Sequence, residues 1–281
     1  MRTSHSSFFI IILCFTLSGC TGMFFQPMKS LVRTPSDINL QYQDIRFTSQ
    51  DGTKLHGWFL PAQGKALGTL LFLHGNAENI STHIGSVYWL PSRGFNVFLF
   101  DYRGYGKSAG VAEIQGVFQD IKAAFLWLQN KPDIDASRIA VLGQSLGAAM
   151  GAYVFANVGQ SNSIRALILD STFSDYQQIV REKFSSFWLT WPLQYPLSWL
   201  VTGQYSPIDV IGQYSPTPVL IIHTADDGII PLHHAHQLLD HARPPKDIWV
   251  IPKGGHISAL KYPEIRHRLV EYLTMIMANP S

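Results

Sequence analysis

Cysteine is nearly absent: the 281 residues hold two, Cys14 and Cys20, six apart near the start. The rest of the chain therefore has no thiol pair, a disulfide framework is excluded, and a chain of this length must hold itself together by its core. Charge is sparse as well. Asp, Glu, Lys and Arg make up 14% of the residues, the net charge is +2, and the 21 Lys and Arg are scattered rather than clustered. This leaves no electrostatic footprint for nucleic acid. With 46% hydrophobic residues the chain buries much of itself, which excludes disorder. No internal repeat is visible, and the length suits one large α/β domain.

The apolar run Phe8–Leu17 follows Arg2. Roughly ten residues are too few to span a bilayer but suit the core of a signal peptide. Leu17-Ser18-Gly19-Cys20 resembles the lipobox of bacterial lipoproteins, in which a lipid is attached to the cysteine thiol and cleavage precedes it. The expectation is a signal peptide over 1–19, an acylated (palmitate-type) Cys20, and a location in the bacterial cell envelope. There the protein would be anchored outside the cytoplasmic membrane or on the periplasmic face of the outer membrane. Two or more acyl chains would hold it stably, where one would not. Residues 20–40 contain Pro27, Pro35, Ser36 and Asp37 without a sustained period, so they are expected as a membrane-proximal linker, with the domain over 41–281.

Eight short β-rich runs follow: Ile45 to Thr48, Leu55 to Leu60, Thr69 to Leu73, Asn96 to Phe100, Arg138 to Leu142, Ala166 to Leu169, Val219 to Ile222 and Ile248 to Ile251. Helical patterns such as Ile114–Asn130 and Leu146–Asn157 separate the later runs, so βαβ units in a mostly parallel sheet are predicted. The first two runs have no helix between them and predict an antiparallel edge. In such a sheet the chemistry belongs at the carboxyl ends of the strands.

The fifth run leads directly into Gly143-Gln144-Ser145-Leu146-Gly147, and a small-residue helix follows. Strand, GxSxG and helix in that order form a nucleophile elbow, a turn so sharp that side chains at the glycine positions would clash, and it presents Ser145 above the sheet. A serine hydroxyl needs a base, and the base needs an orienting acid; on this fold both lie downstream, acid first. The loop after the seventh run holds two carboxylates, Asp226 and Asp227, one of which is the acid. The loop after the eighth holds Gly254-Gly255-His256, which brings in the base. Asp170, ending the sixth run, is the rival acid. Oxyanion donors are expected from the backbone N–H of Leu146 and of Asn76, in the glycine turn after the third run. His74 is read as a brace for that turn. His233, His234, His236 and His241 fall in a helical stretch after Pro231; His233 and His236 have i,i+3 spacing, but no HExxH or carboxylate-rich set accompanies them, and all four are expected to face solvent. No metal or cofactor is expected.

His74-Gly75-Asn76-Ala77-Glu78-Asn79, Asp101 to Ser108, the elbow, and Asp227 to Pro231 resemble the BEM46/ABHD13-like group of α/β-hydrolases from Ile45 to the C-terminus. Glu78 and Thr224 stand where that group commonly has glycine. The resemblance implies serine hydrolases or S9-like peptidases, and it maps the acid, four residues before the proline, onto Asp227. The Asp101–Ser108 run is read as a glycine-shaped loop in which Asp101 and Arg103 pair locally.

Between the sixth and seventh runs, residues 173–216 form a long insertion containing Phe184, Phe187, Trp188, Trp191, Tyr195, Trp199 and Tyr205. A connection of this length is usually a cap. Its composition suits an acyl pocket, a membrane-facing surface or simple packing onto the core. The expected activity is hydrolysis of an ester or related acyl bond of a small molecule. An acyltransferase, an aminopeptidase-like amidase and a non-catalytic binding protein are the alternatives; an aspartate-nucleophile dehalogenase or epoxide hydrolase is excluded by Ser145.

Overall fold

The computed structural model describes residues 24–157, 163–185 and 188–278. Eight strands form one sheet: β1 (Gln43–Thr48), β2 (Lys54–Leu60), β3 (Gly68–Leu73), β4 (Phe95–Asp101), β5 (Ile139–Gln144), β6 (Leu167–Asp170), β7 (Val219–Thr224) and β8 (Lys246–Ile251). Their order is β8-β7-β6-β5-β3-β4-β2-β1. Both pairings of β2 are antiparallel and every other pairing is parallel. This is the α/β-hydrolase fold.

The central strands are buried on both faces, which is why they read as unbroken apolar runs. In β3 the alternation sends Leu71 and Leu73 into one core, beneath α1 (Ile114–Gln129) and α2 (Leu146–Asn157). Leu70 and Phe72 enter the other, with Leu269 and Leu273 of the C-terminal helix Pro263–Ala278.

The signal peptide and Cys20 lie outside the described residues. The described part of the expected linker, however, is not a free tether. Gln26–Pro27 pairs in parallel with Ala77–Glu78, and Phe25 and Pro35 are buried. Asn79 Nδ2 donates to the carbonyls of Met28 and Ser30 at 3.0 and 2.8 Å, and the Val32 N–H donates to Ser81 Oγ. Backbone groups bonded this way satisfy themselves on the domain rather than in water, so residues 24–32 form a strap across the carboxyl edge of the sheet. Among the described residues, no helix is long and apolar enough to cross a membrane.

Candidate active site

Ser145 sits between β5 and α2 with φ of +52°, a conformation that costs a non-glycine residue energy and that the elbow imposes. Its neighbours explain why the flanking positions are glycine. A Cβ on Gly147 would run into the carbonyl oxygens of His74 and Leu73, and one on Gly143 into the backbone of Ala148. The elbow is pinned from beneath, because the Ser145 N–H donates to the Asp170 carbonyl at 2.8 Å and Thr172 Oγ1 donates to the Ser145 carbonyl at 2.9 Å.

His256 Nε2 lies 3.0 Å from Ser145 Oγ, and its Nδ1 lies 2.7 Å from Asp227 Oδ2. A carboxylate can only accept, so Nδ1 carries the proton and Nε2 offers its lone pair to the serine hydroxyl. The loop turns back over the serine through left-handed residues, Gly255 at φ +71° and Ile257 at φ +48°. It is tied down by Thr224 Oγ1 donating to the Gly255 carbonyl and the Gly255 N–H donating to Asp226 Oδ1. Asp227 is buried, and burial pushes its carboxyl up. The hydrogen bonds from His256 and from the backbone N–H of Ile230 and Ile229 outweigh that and hold it below its ordinary value. Of the two carboxylates in the loop, then, Asp227 holds the histidine and Asp226 holds the loop.

Asp170 does not reach His256 as a partner. It is fully buried, takes a hydrogen bond from Gln144 Nε2 at 2.7 Å and one from Ser171 Oγ, and is raised by desolvation to about 6.

The Leu146 N–H is one of the unpaired first-turn donors of α2, at the edge of the cleft that holds Ser145. Asn76 lines the same cleft. It is anchored by Tyr105 Oη donating to its carbonyl and by the Gln26 N–H of the strap donating to its Oδ1. His74 is buried beside Tyr102, with ring centroids 4.2 Å apart, and its Nδ1 is 2.7 Å from the Gly75 carbonyl. Desolvation, with His83 nearby, holds it neutral, and it touches neither Ser145 nor His256 among the hydrogen bonds of the described residues. Arg103 pairs with Asp120 at 2.8 Å and Asp51 at 2.7 Å, not with Asp101 as expected, while Asp101 Oδ1 takes the Ile80 N–H. The loop is riveted to the scaffold and offers no guanidinium to a substrate.

The cleft has a volume of about 750 Å³. Its floor is Ser145, Leu146 and His256, and one wall comes from Ile179, Val180 and Phe184 of α3 (Tyr176–Ser185), the first helix of the insertion. Ile229 and Phe173 close the sides, and the strap residues Phe24 and Gln26 complete the rim. Sequence reasoning missed these last two; the adjacent phenylalanines at 24 and 25 were the only signal, and an aperiodic segment does not say where it packs. Of the histidines after Pro231, His233, His236 and His241 are exposed as expected, and His234 is not. His234 of α5 (His233–His241) is buried, and Glu182 on α3 lies 2.9 Å from His233 Nε2 and 3.0 Å from His234 Nε2. These ligand atoms fall within 4.8 Å of one another. That spacing suits a metal ion, but the carboxylate and the two rings also close on themselves as a latch between α3 and α5, and nothing in the chemistry of Ser145 draws on them.

The family model described as serine aminopeptidase, S33, matches residues 64–213. Protein YfhR of Escherichia coli O157:H7 is 39% identical over 223 residues, covering 77% of this chain and 74% of that protein. Protein bem46 of Schizosaccharomyces pombe is 29% identical over 73% of this chain and 67% of its own length. Among solved structures, the Pyrococcus furiosus esterase Pf2001 superposes with a TM-score of 0.73 at 24% identity, over 91% of this chain and 98% of that one. This last likeness is one of fold.

Proposed function

Because the chain belongs to the BEM46-like group of α/β-hydrolases, we propose that it hydrolyses an ester or related acyl bond, with Ser145 as nucleophile, His256 as base and Asp227 as orienting acid. The observation that carries this reading is the unbroken relay from Asp227 Oδ2 to His256 to Ser145 Oγ, at 2.7 and 3.0 Å. As Ser145 Oγ bonds to the substrate carbonyl carbon, its proton passes to His256 Nε2. The carbonyl π pair moves onto oxygen, where the N–H groups of Leu146 and Asn76 stabilise the charge. When that oxyanion collapses, the bond to the leaving oxygen breaks and the leaving group takes the proton from Nε2. Water, deprotonated by the same nitrogen, then attacks the acyl-enzyme and releases the acid and the serine.

The apolar walls of the cleft favour a hydrophobic acyl group. The family description favours a second reading, cleavage of an aminoacyl amide, and a panel of chromogenic esters and aminoacyl amides separates the two. The decisive test of the nucleophile is a fluorophosphonate probe, whose adduct mimics the tetrahedral intermediate. One probe mass is expected on Ser145, and Ser145→Ala is expected to lose both labelling and hydrolysis with its unfolding midpoint nearly unchanged. A folded protein that hydrolyses esters with Ser145→Ala in place would overturn the proposal.

Cys20 is proposed as the lipid attachment point, on the strength of the Leu17–Cys20 sequence alone. Growth on an alkynyl fatty acid is expected to tag the wild type and not Cys20→Ser; equal tagging of both would remove the anchor from the account.

A further inference from the structure

Between Lys183 and Asp209 lie 25 residues without one Asp, Glu, Lys or Arg. Ordinary chains are about a quarter charged, and surface segments are usually more so. This segment is nevertheless on the outside of the molecule. Trp188 and Trp199 are 78 and 70% exposed, and Trp191, Leu193, Tyr195 and Leu200 are about half exposed or more. Single apolar residues on a surface need no explanation, but an uncharged run of this length, carrying three tryptophans, does.

Its position relative to the cleft is fixed. The segment continues from α3, which walls the cleft, and Thr190 Oγ1 donates to the Phe184 carbonyl at 2.8 Å. The helix α4 (Gln194–Trp199) carries Tyr195 and Trp199 and packs against α3. On another lip of the cleft, Ile229 is half exposed. The chain itself points the same way. The strap enters at Phe24, on the cleft rim. Cys20, the proposed lipid attachment point, is four residues upstream, within about 14 Å of chain.

We propose that the outer face of the insertion, from Trp188 to Leu200, docks at the headgroup–acyl boundary of a lipid bilayer, so that the cleft opens onto the membrane and draws an acyl lipid from it. The substrate clause rests on the acyl-hydrolase reading; the docking clause does not. Tryptophan and tyrosine favour that boundary because each has an apolar body and one polar group to keep wet. A protein interface is enriched in arginine as well as in aromatic residues, and no arginine lies between Lys183 and Asp209.

The test uses the full chain, wild type and Trp191→Ala/Trp199→Ala, reconstituted in phosphatidylcholine vesicles with and without bromine on the acyl chains. Outside the insertion, Trp58, Trp89 and Trp249 are buried and Trp127 of α1 is half-buried; the wild type and the double variant share all four, so a difference in quenching by bromine reports on the insertion. The wild type is expected to be quenched at least twofold more than the double variant. The double variant is also expected to hydrolyse a long-chain ester held in vesicles at least tenfold more slowly, while its rate on a short water-soluble ester stays within twofold. Equal quenching of the two proteins overturns the docking surface. So does wild-type self-association in solution that the double variant loses, with no quenching, since the face would then cover a second copy. If the wild type hydrolyses neither ester, the acyl-hydrolase reading fails, and the quenching comparison still decides the docking.

Discussion

Two aspartates end adjacent parallel strands or the loop just beyond, Asp170 at the tip of β6 and Asp227 after β7, and both lie close to the same histidine loop. They behave in opposite ways. Asp170 is sealed beneath the elbow with only neutral donors, Gln144 and Ser171, and desolvation raises it to about 6. Asp227 is also buried, but two backbone N–H groups and the imidazole aim at it, and it is held below its ordinary value. Position in the fold therefore does not assign the acid's role; the donors around each carboxyl do. A carboxylate that must stabilise an imidazolium has to be ionised before the reaction starts, and the donors around Asp227 favour that form where the burial of Asp170 disfavours it.

The largest expected effect falls on that contrast directly. Asp227→Asn replaces an acceptor facing His256 Nδ1 with an amide that can present its own N–H, which favours the wrong imidazole tautomer. The kcat is expected to fall by about 10⁴, the size seen for the equivalent change in a serine protease, with folding intact by circular dichroism. Asp226→Asn keeps an oxygen able to accept the Gly255 N–H, and its kcat is expected to stay within a few-fold of wild type. If Asp170→Asn alone abolished turnover, the roles assigned to the two strand ends would be reversed.

The sequence carried some parts of this arrangement much better than others. All eight strands of the sheet lie within two residues of the apolar runs: the six central ones are buried on both faces and therefore continuous in sequence, and the half-exposed edge strands β1 and β8 still carry enough β-branched and aromatic residues to mark them. The helices Ile114–Gln129 and Leu146–Asn157 are equally plain. The elbow was legible because GxSxG is a steric requirement of the turn, visible in the close approach of the Leu73 and His74 carbonyls to Gly147. Asp226 and Asp227 could not be told apart from their neighbours; only the family resemblance separated them, since which carboxyl faces the ring depends on the backbone of one turn. The strap over the cleft, the Arg103–Asp120 pair and the Glu182–His234 contact were not legible at all. Each joins segments far apart in the chain through one or two polar groups, and such pairings leave no period in either segment. Arg103 in particular read as a partner of Asp101 two residues away, whereas its hydrogen bonds go to Asp120 and Asp51.

A smaller effect sharpens the same comparison from the side of Asp170. Its carboxyl titrates at about 6 in the folded protein against 3.8 as the ordinary value. Between those two pH values the folded state holds a proton that the unfolded chain has released, so the stability contributed at this site is present below about pH 4 and is lost as pH rises through about 6. Above that both states are ionised and the loss is constant, at most about 3 kcal/mol for a difference of this size. Asp170→Asn removes the ionisation while keeping an oxygen for Gln144 Nε2 and an amide for Ser171 Oγ. Urea titrations of the two proteins from pH 4 to pH 7 are therefore expected to show the wild type losing stability relative to Asp170→Asn as pH rises to about 6, and the two curves running parallel beyond it. A constant gap across the whole range would mean that Asp170 is ionised throughout, and the contrast with Asp227 would then lie in what each carboxylate touches rather than in its charge. The window is informative because Asp227 moves the other way: its depressed value makes its own contribution fall away only as pH drops through the acid range, where Asp170 is already protonated.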